Sequence, residues 1–387
     1  MPKDGETSMK TAHGAWKQAS GRSGPPSGAS EPESNQRPGT ISRRTMITWT
    51  GAGLGLAVAA GGGLLPAESS ATKVSAFFLE TIMHQEPLPP GVHVALATPL
   101  TSDFEIDVAG ARRLVEHVIE GGIHGLIVLG STGELPSIPA AKRRKMVQTV
   151  LEATAGRVPV ITALAQNSFE DAVEEVQALA GQGVRGVLAT VPFYYPTNQA
   201  GIENFYRRLA ERSPLPLLIY NIPQFTKLSV PPQTVASLAR DGMVRGIKDS
   251  SGDFEYFSQV VFATRGIAGF RVFTGSDTML FASLAIGADG TIAGGPNLAP
   301  KWVVDLYAAY RAADWTAARS LQEKILRLVM ATRRGVFPAS IKAGLEILGI
   351  CSAITAPPVP PLLPEDREQL RVTLAELGLL PTKGMAG

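Results

Sequence analysis

The sequence predicts an α/β fold: a (β/α)8 TIM barrel with a small C-terminal helical extension. Three observations carry this reading. From Val92 onward a short apolar run, a turn and an amphipathic helical stretch recur at a spacing of roughly thirty residues. The apolar runs are rich in Val and Ile and mostly continuous rather than alternating, as in strands covered on both faces. No Gly-x-Gly-x-x-Gly fingerprint follows an early strand, which counts against a doubly wound open sheet.

The chain opens with residues 1–42, rich in Gly, Ser, Pro, Lys and Glu, a composition expected of a disordered leader. Residues 43–88 follow as an export signal and linker: Arg43-Arg44, a glycine-rich apolar run, then small residues, a layout resembling a twin-arginine signal. The run from Gly51 to Leu65 is too short and too rich in glycine for stable membrane insertion. The expected location is therefore periplasmic, with a cytoplasmic protein as the alternative.

Residues 89–312 hold the barrel. Its eight strands are read from "VHVALATP", "HGLIVLG", "VPVITAL", "GVLATV", "LPLLIYN", "VRGIKD", "FRVFTG" and "DGTIAG". Helical stretches such as "DVAGARRLVEHVIEGG" and "FEDAVEEVQALAGQG" separate them, apolar at three-and-four spacing and closed by glycine. Residues 313–387 lack further strand patterns and form the helical extension, in which no side chain reads as chemical.

At 387 residues with 44% hydrophobic and 18% charged side chains, the chain has an ordinary globular composition. A formal charge of +2 and the lack of a basic stripe argue against a nucleic-acid partner. Cys351 is the only cysteine, so an intrachain disulfide is impossible. His13, His84, His93, His117 and His124 form no ligand pair on one helix, and no metal is expected.

A barrel of this kind carries its chemistry at the C-terminal ends of its strands. The polar groups there are Thr98, the "GSTGE" turn at Gly130–Glu134, Tyr194, Tyr220, Asn221 and Lys248, with Ile292 on the last strand. Glu134, Asp249 and Asp253 are acidic groups near the rim. Burial disfavours a lysine's ammonium form, and a neutral amine attacks ketones to form a Schiff base. The iminium then serves as an electron sink for making or breaking the adjacent carbon-carbon bond. A neighbouring tyrosine can relay the protons, and turn hydroxyls and amides can hold a carboxylate.

Six segments in order, "GSTGE", "PFYYP", "YNIP", "GIKDSSGD", "FTGSD" and "GADGTIAGGPNLAP", resemble the signatures of the dihydrodipicolinate synthase and N-acetylneuraminate lyase family. The similarity spans about residues 90 to 350, and the interval of 28 residues from Tyr220 to Lys248 also fits. The resemblance implies a class I lyase or aldolase acting on a pyruvate-type 2-keto acid, with no cofactor beyond the covalent Schiff base. It makes Lys248 the Schiff-base lysine and Tyr220 the proton donor and acceptor. Ser131 and Tyr194 complete the hydroxyl relay, with Tyr194 supplied by a neighbouring subunit of a homotetramer. Thr132, Gly133 and the backbone around Ile292 hold the pyruvyl carboxylate.

One position departs from the synthase pattern. Those synthases carry an arginine shortly after the Tyr-Asn turn for their second substrate's carboxylate, and here "YNIPQFTK" places Phe225 there. The expected substrate is therefore another 2-keto acid, such as a 2-keto-3-deoxy sugar acid. The alternatives are a true synthase in which a residue such as Lys227 substitutes, and a non-catalytic barrel that binds a small acid.

Overall fold

The computed structural model describes residues 88–380. The leader, the twin-arginine segment up to residue 87 and the last seven residues of the extension lie outside the described residues. Eight parallel strands close into a barrel in sequence order. They are β1 (Gly91–Ala95), β2 (Gly125–Val128), β3 (Val160–Leu164), β4 (Val187–Ala189), β5 (Leu217–Asn221), β6 (Gly246–Asp249), β7 (Arg271–Thr274) and β8 (Gly290–Ala293). Each of the eight apolar runs contains one of them.

The strands are almost wholly buried because helices cover the outside while side chains fill the barrel. Val108–Glu120 is a representative covering helix. Leu114, Val115 and Val118 face inward from it, and the Asp107 side chain caps it by accepting from the Gly110 amide at 2.8 Å. Ser168, Asn198 and Asp253 begin Phe169–Leu179, Gln199–Arg212 and Phe254–Thr264 in the same way. Among the described residues no helix is long and apolar enough to cross a membrane.

Closure of the ring is a matter of backbone clearance. At the seam β8 pairs with β1 from Gly91 opposite Gly290 to Val94 opposite Ala293. A Cβ added to Gly290 would stand 1.8 Å from the Gly91 carbonyl oxygen, so only glycine lets the two strands approach there. His93, fully buried beside this seam, uses Nε2 to contact the Pro89 carbonyl at 2.8 Å. Burial lowers its pKa from 6.5 to about 3, so the ring is neutral inside the barrel.

The extension consists of helices Trp315–Thr332, Ala339–Ile347 and Pro364–Glu376. It is tied to the barrel by an interior ion pair. Lys342 Nζ reaches Glu134 Oε2 at 2.6 Å, and the two side chains are 0% and 2% exposed. Glu134 Oε1 accepts the Ala356 amide at 2.7 Å, so both of its oxygens are engaged by the extension. The extension thus has a structural part in holding the "GSTGE" turn, which its sequence pattern did not show. Sequence periodicity places Lys342 on a helix, but it cannot show that the residue is sealed against a turn 208 residues earlier.

Removing one partner of a sealed pair leaves a charge without compensation, which costs far more than the pair's net contribution. Lys342→Met is expected to lower unfolding free energy by roughly 3–5 kcal/mol, with Glu134→Gln in the same chain recovering part of the loss. Urea titration of the single and double variants measures both. Equal loss in the single and double variants would contradict the coupling.

Candidate active site

The strand ends bring the candidate residues together through register. In the parallel pairing of β5 with β6, Tyr220 stands opposite Lys248 and Asn221 opposite Asp249. Paired residues in neighbouring strands lie about 5 Å apart and present side chains to the same face. Lys248 Nζ consequently donates to the Tyr220 hydroxyl at 3.2 Å and sits 4.4 Å from the centroid of its ring. Lys248 is only 3% exposed. Its carboxylate neighbour on β6, Asp249, points elsewhere: Oδ1 accepts from Asn221 Nδ2 at 2.8 Å, and both oxygens bind Ser251.

The third member comes from across the barrel. Ser131 Oγ lies 3.2 Å from the Tyr220 hydroxyl, giving a continuous chain Lys248–Tyr220–Ser131. Ser131 is held by the "GSTGE" turn that follows β2. Glu134 ends this turn in the left-handed region at φ 57° and donates its amide to the Ser131 carbonyl at 3.2 Å. Thr98 Oγ1 donates to the Gly133 carbonyl at 2.7 Å, locking the turn to the end of β1. The Lys342–Glu134 pair fixes its other side.

Lys248, Tyr220 and Ser131 line a cavity of about 470 Å³ that also takes in Thr132, Ala293 and Gly294. Such a volume suits a small molecule. Gly294 keeps space open beside Thr132: a Cβ there would come within 3.0 Å of Ile341 Cδ1 and 3.6 Å of Thr132 Oγ1. Ile292 itself is fully buried within the barrel wall, so the cavity is bordered by the backbone just after it, at Ala293 and Gly294. Gly133 stands behind the lining, with its carbonyl turned to Thr98. Tyr194 is 75% exposed and outside the cavity of this chain; its amide and that of Phe193 donate to Asn167 Oδ1.

Asp277 is a lining residue that sequence reading missed, although it ends the quoted "FTGSD" segment. Its Oδ2 accepts the Gly295 amide at 3.0 Å, while Oδ1 is buried without a hydrogen-bond partner among the described residues. Burial pushes the carboxyl up from 3.8 to about 6, with the Gly295 hydrogen bond and the positive Lys248 pulling the other way. Its only signal in the sequence was an acidic residue three positions after a strand.

The dihydrodipicolinate synthetase family model matches residues 89–377. The chain belongs to that family. It is a lyase of the family, and its barrel is the family's fold. Among curated relatives, the 4-hydroxy-tetrahydrodipicolinate synthase of Thermus thermophilus is 36% identical over 288 residues, covering 73% of this chain and 96% of its own length. The solved dihydrodipicolinate synthase of Thermotoga maritima superposes with a TM-score of 0.73 at 34% identity, covering 76% of this chain and all of its own. YagE, a prophage protein of the same family from E. coli K12 solved in complex with pyruvate, gives 0.72 at 27% identity, over 75% of this chain and 99% of its own.

The raised Asp277 carboxyl has a signed consequence for stability. Between 3.8 and about 6 the unfolded chain has lost this proton while the folded chain retains it, so stability falls as pH rises through that window. Comparing Asp277→Asn with the parent by urea unfolding at about pH 4 and about pH 7 isolates this contribution. The parent is expected to lose stability relative to the variant across that interval. A constant difference would show that Asp277 titrates alike in both states.

Proposed function

We propose that this lyase forms a Schiff base with a 2-keto acid through Lys248, with Tyr220 as the proton relay. The hydrogen-bonded chain Lys248–Tyr220–Ser131 at the C-terminal mouth of the barrel carries this reading. The Lys248 amine attacks the C2 carbonyl, water leaves, and the iminium accepts the electron pair of the bond being broken at C3. Tyr220 stands next to the amine and can pass protons to and from the substrate, with Ser131 extending the path. In this reading Thr132 and the amides around it and Gly294, which line the cavity, hold the keto acid's carboxylate. The chemistry needs no bound cofactor. Similarity to YagE, solved with pyruvate, supports a pyruvyl group as the part of the substrate bound next to Lys248.

The exposure of Tyr194 supports a site completed by a second copy, and the proposed assembly is a homotetramer built from dimers. Export by the twin-arginine route rests on Arg43-Arg44 and the run after them.

A second reading, synthesis of 4-hydroxy-tetrahydrodipicolinate, is favoured by the names of the relatives. Phe225 weighs against it, since an aromatic ring cannot pair with a carboxylate. Lys227 does not fill the gap: its Nζ donates to the Gln224 carbonyl at 2.8 Å, outside the cavity lining. Growth of a diaminopimelate-requiring strain on this gene would restore that reading. A barrel that merely binds an acid has no need of the three-residue relay.

Intact-mass measurement after incubation with pyruvate and borohydride tests the mechanism. A reduced pyruvyl adduct is expected on the wild type and not on Lys248→Ala. Tyr220→Phe is expected to retain adduct formation but lose about 10²- to 10⁴-fold in turnover, the usual range for a proton-transfer group. An adduct on the Lys248→Ala protein would sink the assignment of the nucleophile.

A further inference from the structure

The outer wall of the cavity has a different character from its base. Phe225, in the turn Pro223–Thr226 after β5, meets Phe337 from the connector between the helices Trp315–Thr332 and Ala339–Ile347. Their ring centroids are 6.3 Å apart and the planes are tilted by 40°. Both line the same cavity as Lys248, yet they remain 53% and 44% exposed. Single exposed phenylalanines need no explanation, but two in contact on the lip of a reaction cavity form an apolar face open to a ligand. Ile222 and Val329 add apolar side chains to the lining of the same cavity.

The polar groups nearby are largely engaged within the chain. Gln224 Nε2 donates to the Ser250 carbonyl, and Ser251 Oγ donates to Asp249 Oδ2 at 2.9 Å. Thr332 Oγ1 donates to the Val329 carbonyl at 2.9 Å. Arg333 is the cation of this rim, exposed and directed at Met330 Sδ at 3.7 Å. A sugar-like chain would need several free donors and acceptors here, whereas a flat ring needs an apolar slot of the kind the two phenylalanines supply.

We propose that Phe225 and Phe337 form an aromatic-binding subsite, so that the enzyme's 2-keto acid carries an aryl group on C4. The proposal rests on the Schiff-base reading and specifies its substrate class. In the cleavage direction a 4-aryl-4-hydroxy-2-keto acid condenses with Lys248, releasing water. Tyr220 removes the C4 hydroxyl proton, the C3–C4 bond breaks, and its electron pair enters the iminium to give an enamine. C4 departs as an aryl aldehyde. Protonation at C3 and hydrolysis with one water return pyruvate and the free amine, with no net oxidation.

The test runs in the condensation direction, with pyruvate and three aldehydes: benzaldehyde, glyceraldehyde and a carboxylate-bearing aldehyde, succinic semialdehyde. The wild type is expected to favour benzaldehyde in kcat/KM by about tenfold or more, the scale on which an apolar pocket discriminates. Phe225→Ala and Phe337→Ala are each expected to raise KM for benzaldehyde by a similar factor, and Phe225→Arg to shift preference toward the carboxylate-bearing aldehyde. Borohydride trapping of wild type with pyruvate is scored separately. An adduct combined with preference for glyceraldehyde would overturn the aromatic subsite alone. Preference for the carboxylate-bearing aldehyde, abolished by Arg333→Ala, would assign the rim to Arg333 and likewise overturn it. Absence of any adduct would remove both readings. If Phe225→Arg changed the sedimentation coefficient and not aldehyde preference, the two rings would be a contact between copies, and the subsite would again be excluded.

Discussion

The pairing of β5 with β6 that sets Tyr220 opposite Lys248 is the contact on which the site depends. Slipping either strand by one residue would turn its side chain to the other face of the sheet and part it from its partner. In a closed barrel such a shift cannot happen locally, because each strand is paired on both sides and the ring must close at the Gly91–Gly290 seam. The hydrophobic filling of the barrel therefore holds the Lys248 amine and the Tyr220 hydroxyl at 3.2 Å without any dedicated local device. Ser131 is different, since it sits on a turn and turns need separate support.

Thr98 gives part of that support from the end of β1, and the rest comes from outside the barrel. Glu134, in a left-handed conformation at the end of the turn, is fixed by Lys342 and by the Ala356 amide of the C-terminal extension. An ion pair sealed from water is a poor source of net stability, but it strongly penalises any arrangement that separates the charges. Used here, it makes the position of the Ser131–Thr132 turn depend in part on the docked extension. The extension also contributes Phe337 and Val329 to the cavity, so it shapes both the base and the mouth of the site.

The cavity therefore has two regions with different physical demands. Near Lys248 it is polar, enclosed and rich in hydroxyls, matching the keto acid chemistry shared across a family of lyases. Toward solvent it becomes apolar where Phe225 and Phe337 meet. Loops that follow strands can change in this manner without disturbing the barrel, since their side chains are not part of its packing.

Much of this was legible in the sequence. Eight Val- and Ile-rich runs are strands because parallel strands buried on both faces require uninterrupted apolar character, and each run does hold a strand. Lys248 and Tyr220 could be picked out because a lysine and a tyrosine at the ends of such runs are chemically conspicuous. Asp277, Lys342 and the meeting of Phe225 with Phe337 could not. A carboxylate three residues past a strand, a lysine on a helix and a phenylalanine in a connector all look like ordinary surface positions. Only packing between segments as much as 208 residues apart buries Lys342 against Glu134, and only it brings the two rings to one lip. By itself the sequence determined the barrel and marked Lys248 and Tyr220 as its candidate pair, because the apolar pattern and the residue types at the run ends are local properties of the chain. The tertiary structure alone decided which charges are sealed and what surrounds the cavity mouth, because burial of a side chain is set by its neighbours in space.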